Sequence, residues 1–413
     1  PYLTMDFQSE SIIVAEFQKF IMNGGLYRGS KPVMWSVVEK TALAEAEVEY
    51  EEHQSPTIFV KFPIKSSPHG SLLDDAKMVI WTTTPWTIPA NRAIAFSANL
   101  NYGLYQANGD KLVLCDSLAE QVMRAAQIED FSRLADVDRL DEIVCNHPFV
   151  GQGYDFDVPV LAGDFVTDET GTGLVHIAPG HGQDDFELGL KHNIEVPFTV
   201  DEAGVYYDHV PLFSGRRVLD EKGKEGDANG GVIGALIEAN GLLAKGKLRH
   251  QYPHSWRSKA PLIFRNTPQW FISMSTGDLR DKALKAIDEV NWYPKGGRNR
   301  IHAMIENRPD WVVSRQRAWG VPLTVFVHKQ SGEILRDEAV NTRIVDAVRQ
   351  TGADAWFDTD PQSFLGDAYQ ADDYEQVSDI LDVWFDSGVT HAFVLEARDD
   401  LQWPADVYFE GSD

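Results

Sequence analysis

Thiols are nearly missing from this 413-residue chain: Cys115 and Cys145 are its only cysteines. Two are too few for a disulfide framework, so a reducing cytoplasm is the expected compartment. No stretch approaches the roughly 18 unbroken apolar residues of a membrane span, and no signal peptide opens the chain. Internal repeats and low-complexity segments are also missing. Positive charge is scarce, with 37 Lys and Arg against 63 Asp and Glu, giving a net charge of −26. That imbalance argues against unspecific coating of nucleic acid, and a polynucleotide partner would need a local basic surface. The residues able to supply one are Lys245, Lys247, Arg249, Arg257, Lys259 and Arg265, then Lys295, Arg298, Arg300, Arg308, Arg315 and Arg317.

What is present is globular: 43% of residues are hydrophobic and 11 are Trp. The length predicts two or three domains. The chain opens Pro1-Tyr2-Leu3-Thr4 without Met and stops at Glu410-Gly411-Ser412-Asp413, just past the apolar Val407-Tyr408-Phe409. It is therefore expected to be an internal piece of a longer protein. Residues 9–23 predict a helix, with Ser9 as cap, an apolar stripe of Ile12, Ile13, Phe17, Phe20 and Ile21, and Gly24-Gly25 as stop. Residues 1–47 then continue through an extended segment and an Ala/Glu-rich stretch. From 48 to 252 the pattern becomes short strands with turn punctuation, expected at 58–62, 78–83, 93–96, 102–106 and 111–114. Asn108-Gly109-Asp110 is a hairpin signal between the last two. In 253–413, residues 276–290 predict an amphipathic helix, 310–327 a helix leading into a strand, and 342–351 a helix. Residues 380–385 and 407–409 read as buried strands of a parallel α/β sheet.

Two segments carry chemistry. The first is Trp81-Thr82-Thr83-Thr84-Pro85-Trp86-Thr87-Ile88-Pro89-Ala90-Asn91. Strand alternation sends Thr82 and Thr84 to one face and Thr83 to the other, and Pro85 ends the ladder because it has no N–H. Asn91 can return toward the same mouth. A bare run of threonines is weak evidence, since Thr is a good strand former; the whole string is far more specific. The second segment, Gly171-Thr172-Gly173-Leu174-Val175-His176-Ile177-Ala178-Pro179-Gly180-His181-Gly182-Gln183-Asp184-Asp185, is a Gly-rich approach that delivers His176 and then a carboxylate. It can end in a helix N-terminus, where the dipole favours acids, with Asp184 as cap and Asp185 facing the pocket. His176, His181, Asp184, Asp185 and Glu187 could alternatively ligate a metal, but none of the usual zinc spacings appears. No Ser or Cys nucleophile with a base partner is evident, which leaves water as the attacking group.

Together these segments resemble the editing pocket of the isoleucyl-tRNA synthetases, within the class I aminoacyl-tRNA synthetases; valyl and leucyl relatives usually place Arg where Thr84 stands. The resemblance spans essentially the whole chain. It implies an α/β and mixed β-rich fold: an inserted β-barrel-like editing domain (48–252), preceded by a connective segment (1–47) and followed by a stem that returns into a class I Rossmann catalytic domain (253–413). It implies an isoleucine–tRNA ligase that uses ATP through isoleucyl-adenylate, and an editing site that hydrolyses valyl-tRNA-Ile. Thr82, Thr83, Thr84, Asn91 and His176 would hold the ester, the ribose and a water, and Asp185 would anchor the α-ammonium. Glu410, Gly411 and Asp413 would lie at the adenylate. The HIGH-type and KMSKS-type signatures fall outside this sequence. The implied partners are tRNA-Ile and the amino acids isoleucine and valine, with no membrane, for a monomer. Rival readings are a passive tRNA- or protein-binding module and a metal-dependent hydrolase. Some relatives carry Cys-x-x-Cys where this chain has Ser36-Val37-Val38-Glu39, and Cys near Ser255-Trp256-Arg257-Ser258. Without those thiols no zinc is expected here, though Ser and Glu side chains could meet through hydrogen bonds.

Overall fold

The computed structural model describes residues 2–409 and forms a mixed α/β fold of two compact units. One comprises residues 1–30, 41–46 and 268–413; the other comprises 31–40 and 47–267. Glu410, Gly411 and Asp413 lie outside the described residues.

The second unit is built on a ten-stranded sheet. Numbered within this unit, its strands are β1 (Val48–Ser66), β2 (Ala76–Thr82), β3 (Ala93–Phe96), β4 (Tyr102–Ala107), β5 (Asp110–Cys115), β6 (Phe131–Asp136), β7 (Val144–Asn146), β8 (Asp157–Ala162), β9 (Leu174–Ile177) and β10 (Leu242–Ser255). The ladder runs β10-β1-β7-β8-β3-β9-β2-β5-β4-β6, and a further β1–β2 pairing returns it on itself. β1 and β2 pair antiparallel, with Ile58 opposite Thr82, while β9 runs parallel to β2 with Val175 opposite Trp81. The two chemistry-bearing segments therefore leave neighbouring strands side by side. Fully buried Ile58, Val60 and Phe62 recur at every second position of β1, while Met78, Val79 and Ile80 are all fully buried, so β2 is covered on both faces. Asn108 and Gly109 both take positive φ (46° and 84°), the geometry of a two-residue hairpin turn that matches strand twist. Asp110 after that turn accepts from Lys61 Nζ at 2.8 Å and also pairs with Lys77, tying β5 to β1 and β2.

In the first unit the N-terminal helix is Phe7–Met22. Its cap is Asp6, whose carboxylate accepts from Ser9 N–H; the expected cap, Ser9, is itself buried inside the first turn. Ile13, Val14, Phe17 and Ile21 enter a core with Trp270, Leu323, Val340, Ile344 and Trp356. Residues 310–327 form no helix, and the expected helix gives way to short extended pieces. Trp311–Val312 pairs antiparallel with Phe271 and Ile272, and Ser314–Arg315 with Ile380 and Leu381. Residues 380–385 are a strand only over Ile380–Leu381: the Asp382 carboxylate accepts Trp384 N–H and starts the helix Val383–Gly388. Both pairings are antiparallel, so these residues do not make the expected parallel sheet. Val407, Tyr408 and Phe409 are exposed and form no strand, correcting the buried-strand reading.

Back in the second unit, Ser36 and Glu39 meet Ser255 and Ser258. Glu39 Oε1 accepts from Ser255 Oγ at 2.8 Å and from Ser258 N–H at 2.9 Å, while Glu39 N–H donates to Ser36 Oγ at 3.2 Å. Ser36 and Ser255 are both completely buried. A carboxylate thus joins two passages of chain 216 residues apart. Replacing Glu39 with Ala strands a buried hydroxyl and an amide, so it should lower stability by about 2–3 kcal/mol. Glu39→Gln, which keeps the accepting oxygen, should lose less. Chemical denaturation of the three proteins checks the order.

Candidate functional site

The threonine string folds as its composition dictates. β2 stops at Thr82, and Pro85 opens a six-residue 3-10 turn, Pro85–Ala90. Thr82 Oγ1 accepts Thr84 N–H at 3.1 Å and lies 3.1 Å from Thr84 Oγ1. Thr84 Oγ1 is 3.3 Å from Thr87 Oγ1, and Thr87 Oγ1 donates to Thr84 C=O at 2.9 Å. Thr82, Thr84 and Thr87 therefore form one row of hydroxyls. Thr83 stands apart from that row and lines a cavity together with Thr84.

His176 comes to the row from β9, with Nε2 2.8 Å from Thr87 Oγ1 and Nδ1 3.0 Å from Asn91 Nδ2. The partners fix the proton. Asn91 Nδ2 also donates to Ala93 C=O at 2.8 Å, so its second hydrogen goes to His176 Nδ1. His176 Nδ1 must then be the acceptor and Nε2 must carry the hydrogen, which it gives to Thr87. Burial drives the imidazole pKa down to about 3, with His181 nearby adding in the same direction, so the ring is neutral. Asn91 is fully buried and grips the imidazole from behind instead of returning to the mouth of the cavity.

After β9 the chain enters α1 (Gln183–Lys191). Its cap is Gly182, with extended backbone, and Asp184 is exposed; the expected Asp184 cap is not formed. Asp185, third in the helix, turns back over Gly182, where an added Cβ would sit 3.1 Å from its carboxyl carbon. Ala178 N–H donates to Asp185 Oδ2 at 2.7 Å. Desolvation raises this carboxyl to about 7 despite that bond, and Asp184 adds to the rise. Asp185 thus sits on the exit from His176, outside the hydroxyl row and outside the residues lining the cavity.

That cavity is bordered by Thr83, Thr84 and Trp86, by His53 and Tyr252 of the β1/β10 ribbon, and by Glu225 and Asn229. The metal reading finds no support in the imidazoles. Both nitrogens of His181 are engaged, by Phe264 C=O at 2.7 Å and Thr199 Oγ1 at 2.6 Å, and both of His176 are engaged as described. Among the described residues no group of three or more His, Cys, Asp and Glu could hold a metal ion. Two of the residues offered as basic surface are buried: Arg265 lies over the Trp35 ring, and Arg315 pairs with Asp382 at 2.9 Å. No helix among the described residues is long and apolar enough to cross a membrane.

Thr87 belongs to the site although it stands outside the residues chosen from the sequence. Its signal is the Thr84 to Thr87 spacing, one turn of 3-10 helix after a proline. Asn229 and Tyr206, which hold the Trp86 peptide, have no local signal at all.

The chain belongs to the family described as tRNA synthetases, class I (I, L, M and V), whose profile matches residues 1–413. It is 52% identical to an isoleucine–tRNA ligase of Caulobacter vibrioides, over all of this chain and 45% of that protein. It is 53% identical to an isoleucine–tRNA ligase of Pelagibacter ubique, over all of this chain and 46% of that protein. The chain thus spans less than half the length of these curated relatives. A crystal structure of GlLeuRS-CP1 aligns with 45% of this chain and 97% of its own at 14% identity, with a TM-score of 0.34, too loose a likeness to settle fold or function.

Burial sets an acid response for this unit. His147, His176 and His181 are held near 3, 3 and 4 by desolvation, against an ordinary 6.5. Below 6.5 the unfolded chain takes up protons that the folded one refuses, so stability is full above that pH and is lost as pH falls toward 4. Asp185 works in the opposite sense between its ordinary 3.8 and about 7, but it is one group against three. Thermal unfolding of the unit should therefore shift to lower temperature from pH 7 to 4.5. His147→Gln should flatten that slope; an unchanged slope would show that His147 does not contribute.

Proposed function

We propose that the protein is an isoleucine–tRNA ligase and that the second unit carries its hydrolytic proofreading site, a barrel-like editing domain. The first unit, with residues 410–413, would supply part of a Rossmann-type site for isoleucyl-adenylate made from ATP, where Glu410, Gly411 and Asp413 are the proposed contacts. Supporting this reading are the family membership and the identity above 50% to isoleucine–tRNA ligases. The observation that carries the hydrolytic part is the row Thr82, Thr84, Thr87 and His176, built from both motif segments beside a cavity.

Such a site has a purpose. One methylene in an apolar pocket separates two side chains by only ~1–3 kcal/mol, and the isoleucine-versus-valine choice of this enzyme class is the standard illustration of that limit. A second pocket that takes valyl-tRNA and rejects isoleucyl-tRNA multiplies the selection. Water attacks the ester carbonyl carbon, the acyl C–O bond breaks, and the departing ribose oxygen takes a proton. Amino acid and free tRNA-Ile are released. The neutral His176, with both nitrogens engaged, acts by holding Thr87 and is not the base. Thr83 and Thr84 present hydroxyls to the ester and the water, and Asn91 supports His176. Asp185 pairs with the α-ammonium; a cation beside it would offset the desolvation that now keeps its proton on near neutral pH.

Deacylation of valyl-tRNA-Ile and isoleucyl-tRNA-Ile by the full-length protein is the deciding experiment, with hydrolysis of the valyl ester expected. Asp185→Ala should lower kcat/KM for that ester on the order of 10- to 100-fold, the worth of one charge-assisted hydrogen bond. Normal hydrolysis by the variant would remove Asp185 from the anchor role. Because the anchor must be ionised, kcat/KM should rise as pH rises through about 7 and then level off, and Asp185→Asn should abolish this dependence. Thr84→Ala should enlarge the cavity and expose isoleucyl-tRNA to attack. Unchanged discrimination would show that another residue sets the size limit.

A further inference from the structure

The 3-10 turn that carries the hydroxyls cannot satisfy its own backbone at Trp86. Pro85 occupies the first position, and a helix start leaves its leading N–H groups without internal partners. Three residues beyond Trp86 stands Pro89, which has no N–H to offer the Trp86 carbonyl. Trp86 is nonetheless almost fully buried, where an unanswered peptide group is costly. Both ends are answered by residues more than a hundred positions away. Asn229 Oδ1 accepts Trp86 N–H at 3.0 Å, and Tyr206 donates its hydroxyl to the Trp86 carbonyl.

Asn229 lies in the first turn of α2 (Ala228–Glu238) and is itself buried. Its other end donates, Nδ2 to Glu225 Oε1 at 2.9 Å, and Glu225 borders the cavity. The two partners leave the amide no choice of orientation: a peptide N–H can only donate and a carboxylate oxygen accepts. The Trp86 peptide lies between Thr84 and Thr87. Whatever fixes that peptide fixes the 3.3 Å spacing of their hydroxyls, and with it the contact of Thr87 with His176.

We propose that Asn229 is the positioning residue of the threonine turn, holding Trp86 so that the cavity admits the smaller acyl ester and rejects the larger one. The proposal rests on the editing reading above and adds a specificity determinant to it. Asn229 itself performs no chemistry. It sets where the hydroxyls stand, and displacements of an ångström at a reacting centre can cost on the order of 100-fold in rate.

The test is a swap made in the full-length protein. Asn229→Ala removes the clamp. Asn229→Asp keeps an acceptor for Trp86 N–H but sets two carboxylates against each other. Asn229→Asp with Glu225→Gln reverses the donor and acceptor and rebuilds the contact. Hydrolysis of valyl- and isoleucyl-tRNA is measured with hydrogen–deuterium exchange over residues 82–91. Asn229→Ala should cut the valyl-over-isoleucyl ratio about 10-fold or more, in kcat before KM, and speed exchange across the turn. The swap should bring both readouts back to within about 3-fold of wild type while Asn229→Asp alone does not. If a folded Asn229→Ala protein keeps its ratio, or the swap restores neither readout, the proposal is wrong. If Asn229→Ala does not fold, the comparison of Asn229→Asp with the swap decides alone. Wild-type protein that hydrolyses neither ester overturns the editing reading instead, and exchange over 82–91 still tells whether Asn229 holds the turn.

Discussion

A neutral imidazole sealed inside a sheet has to have both nitrogens answered, and that requirement organises the second unit. His176 takes a hydrogen from Asn91 at one nitrogen and gives one to Thr87 at the other. To meet both, β9 must lie beside β2, and the turn after β2 must coil tightly enough to bring Thr87 back over the strand end. Two prolines force that coil; Tyr206 donates to Trp86 C=O the hydrogen that Pro89 lacks, and Asn229 accepts the Trp86 N–H left over at the start of the turn. The local strand sequence, the distant helix and the imidazole are thus parts of one hydrogen-bond account. It closes with a single exception: Asn91 Oδ1 is a buried acceptor with no partner among the described residues.

The same account separates two kinds of polar group. His176, Thr87 and the amide nitrogen of Asn91 are spent on one another and on nearby carbonyls, which makes them rigid and chemically quiet. Thr83, Thr84 and Asp185 keep capacity in reserve: two hydroxyls beside a hollow, and a carboxyl that burial holds near its midpoint at neutral pH. Under the reading proposed above, the reserved groups are the ones left to answer a ligand, while the spent ones hold the frame. If the proposed editing reading holds, hydrolysis there would rest on placement and hydrogen bonding, with no strong base.

Much of this frame is legible in the sequence. Asn108-Gly109 announces its turn because only residues tolerant of positive φ make it, and the threonine string announces a strand running into a proline-locked coil. The strand at Ala93–Phe96 stands where the apolar run between turn signals puts it. What is not legible depends on competition between close alternatives. Asp6 outcompetes Ser9 as a helix cap, and Gly182 takes the cap position from Asp184. Asp382 turns an apolar run from strand into helix by accepting one amide hydrogen. In 310–327, short antiparallel contacts with residues 271–272 and 380–381 decide the structure, and helix propensity gives no hint of them. Around the site, the motifs reveal which hydroxyls exist but not that a peptide between them hangs on Asn229, because that partner is fixed only by the folded chain.

Ser36, Glu39, Ser255 and Ser258 knit two distant strands of chain together with oxygen and nitrogen alone. A seam of this kind closes only once residues 36–39 and 255–258 have come together, because Glu39 Oε1 must accept from both Ser255 and Ser258 at the same time. Two ends of one unit thus depend on a single carboxylate, and neither passage can shift without unseating the other.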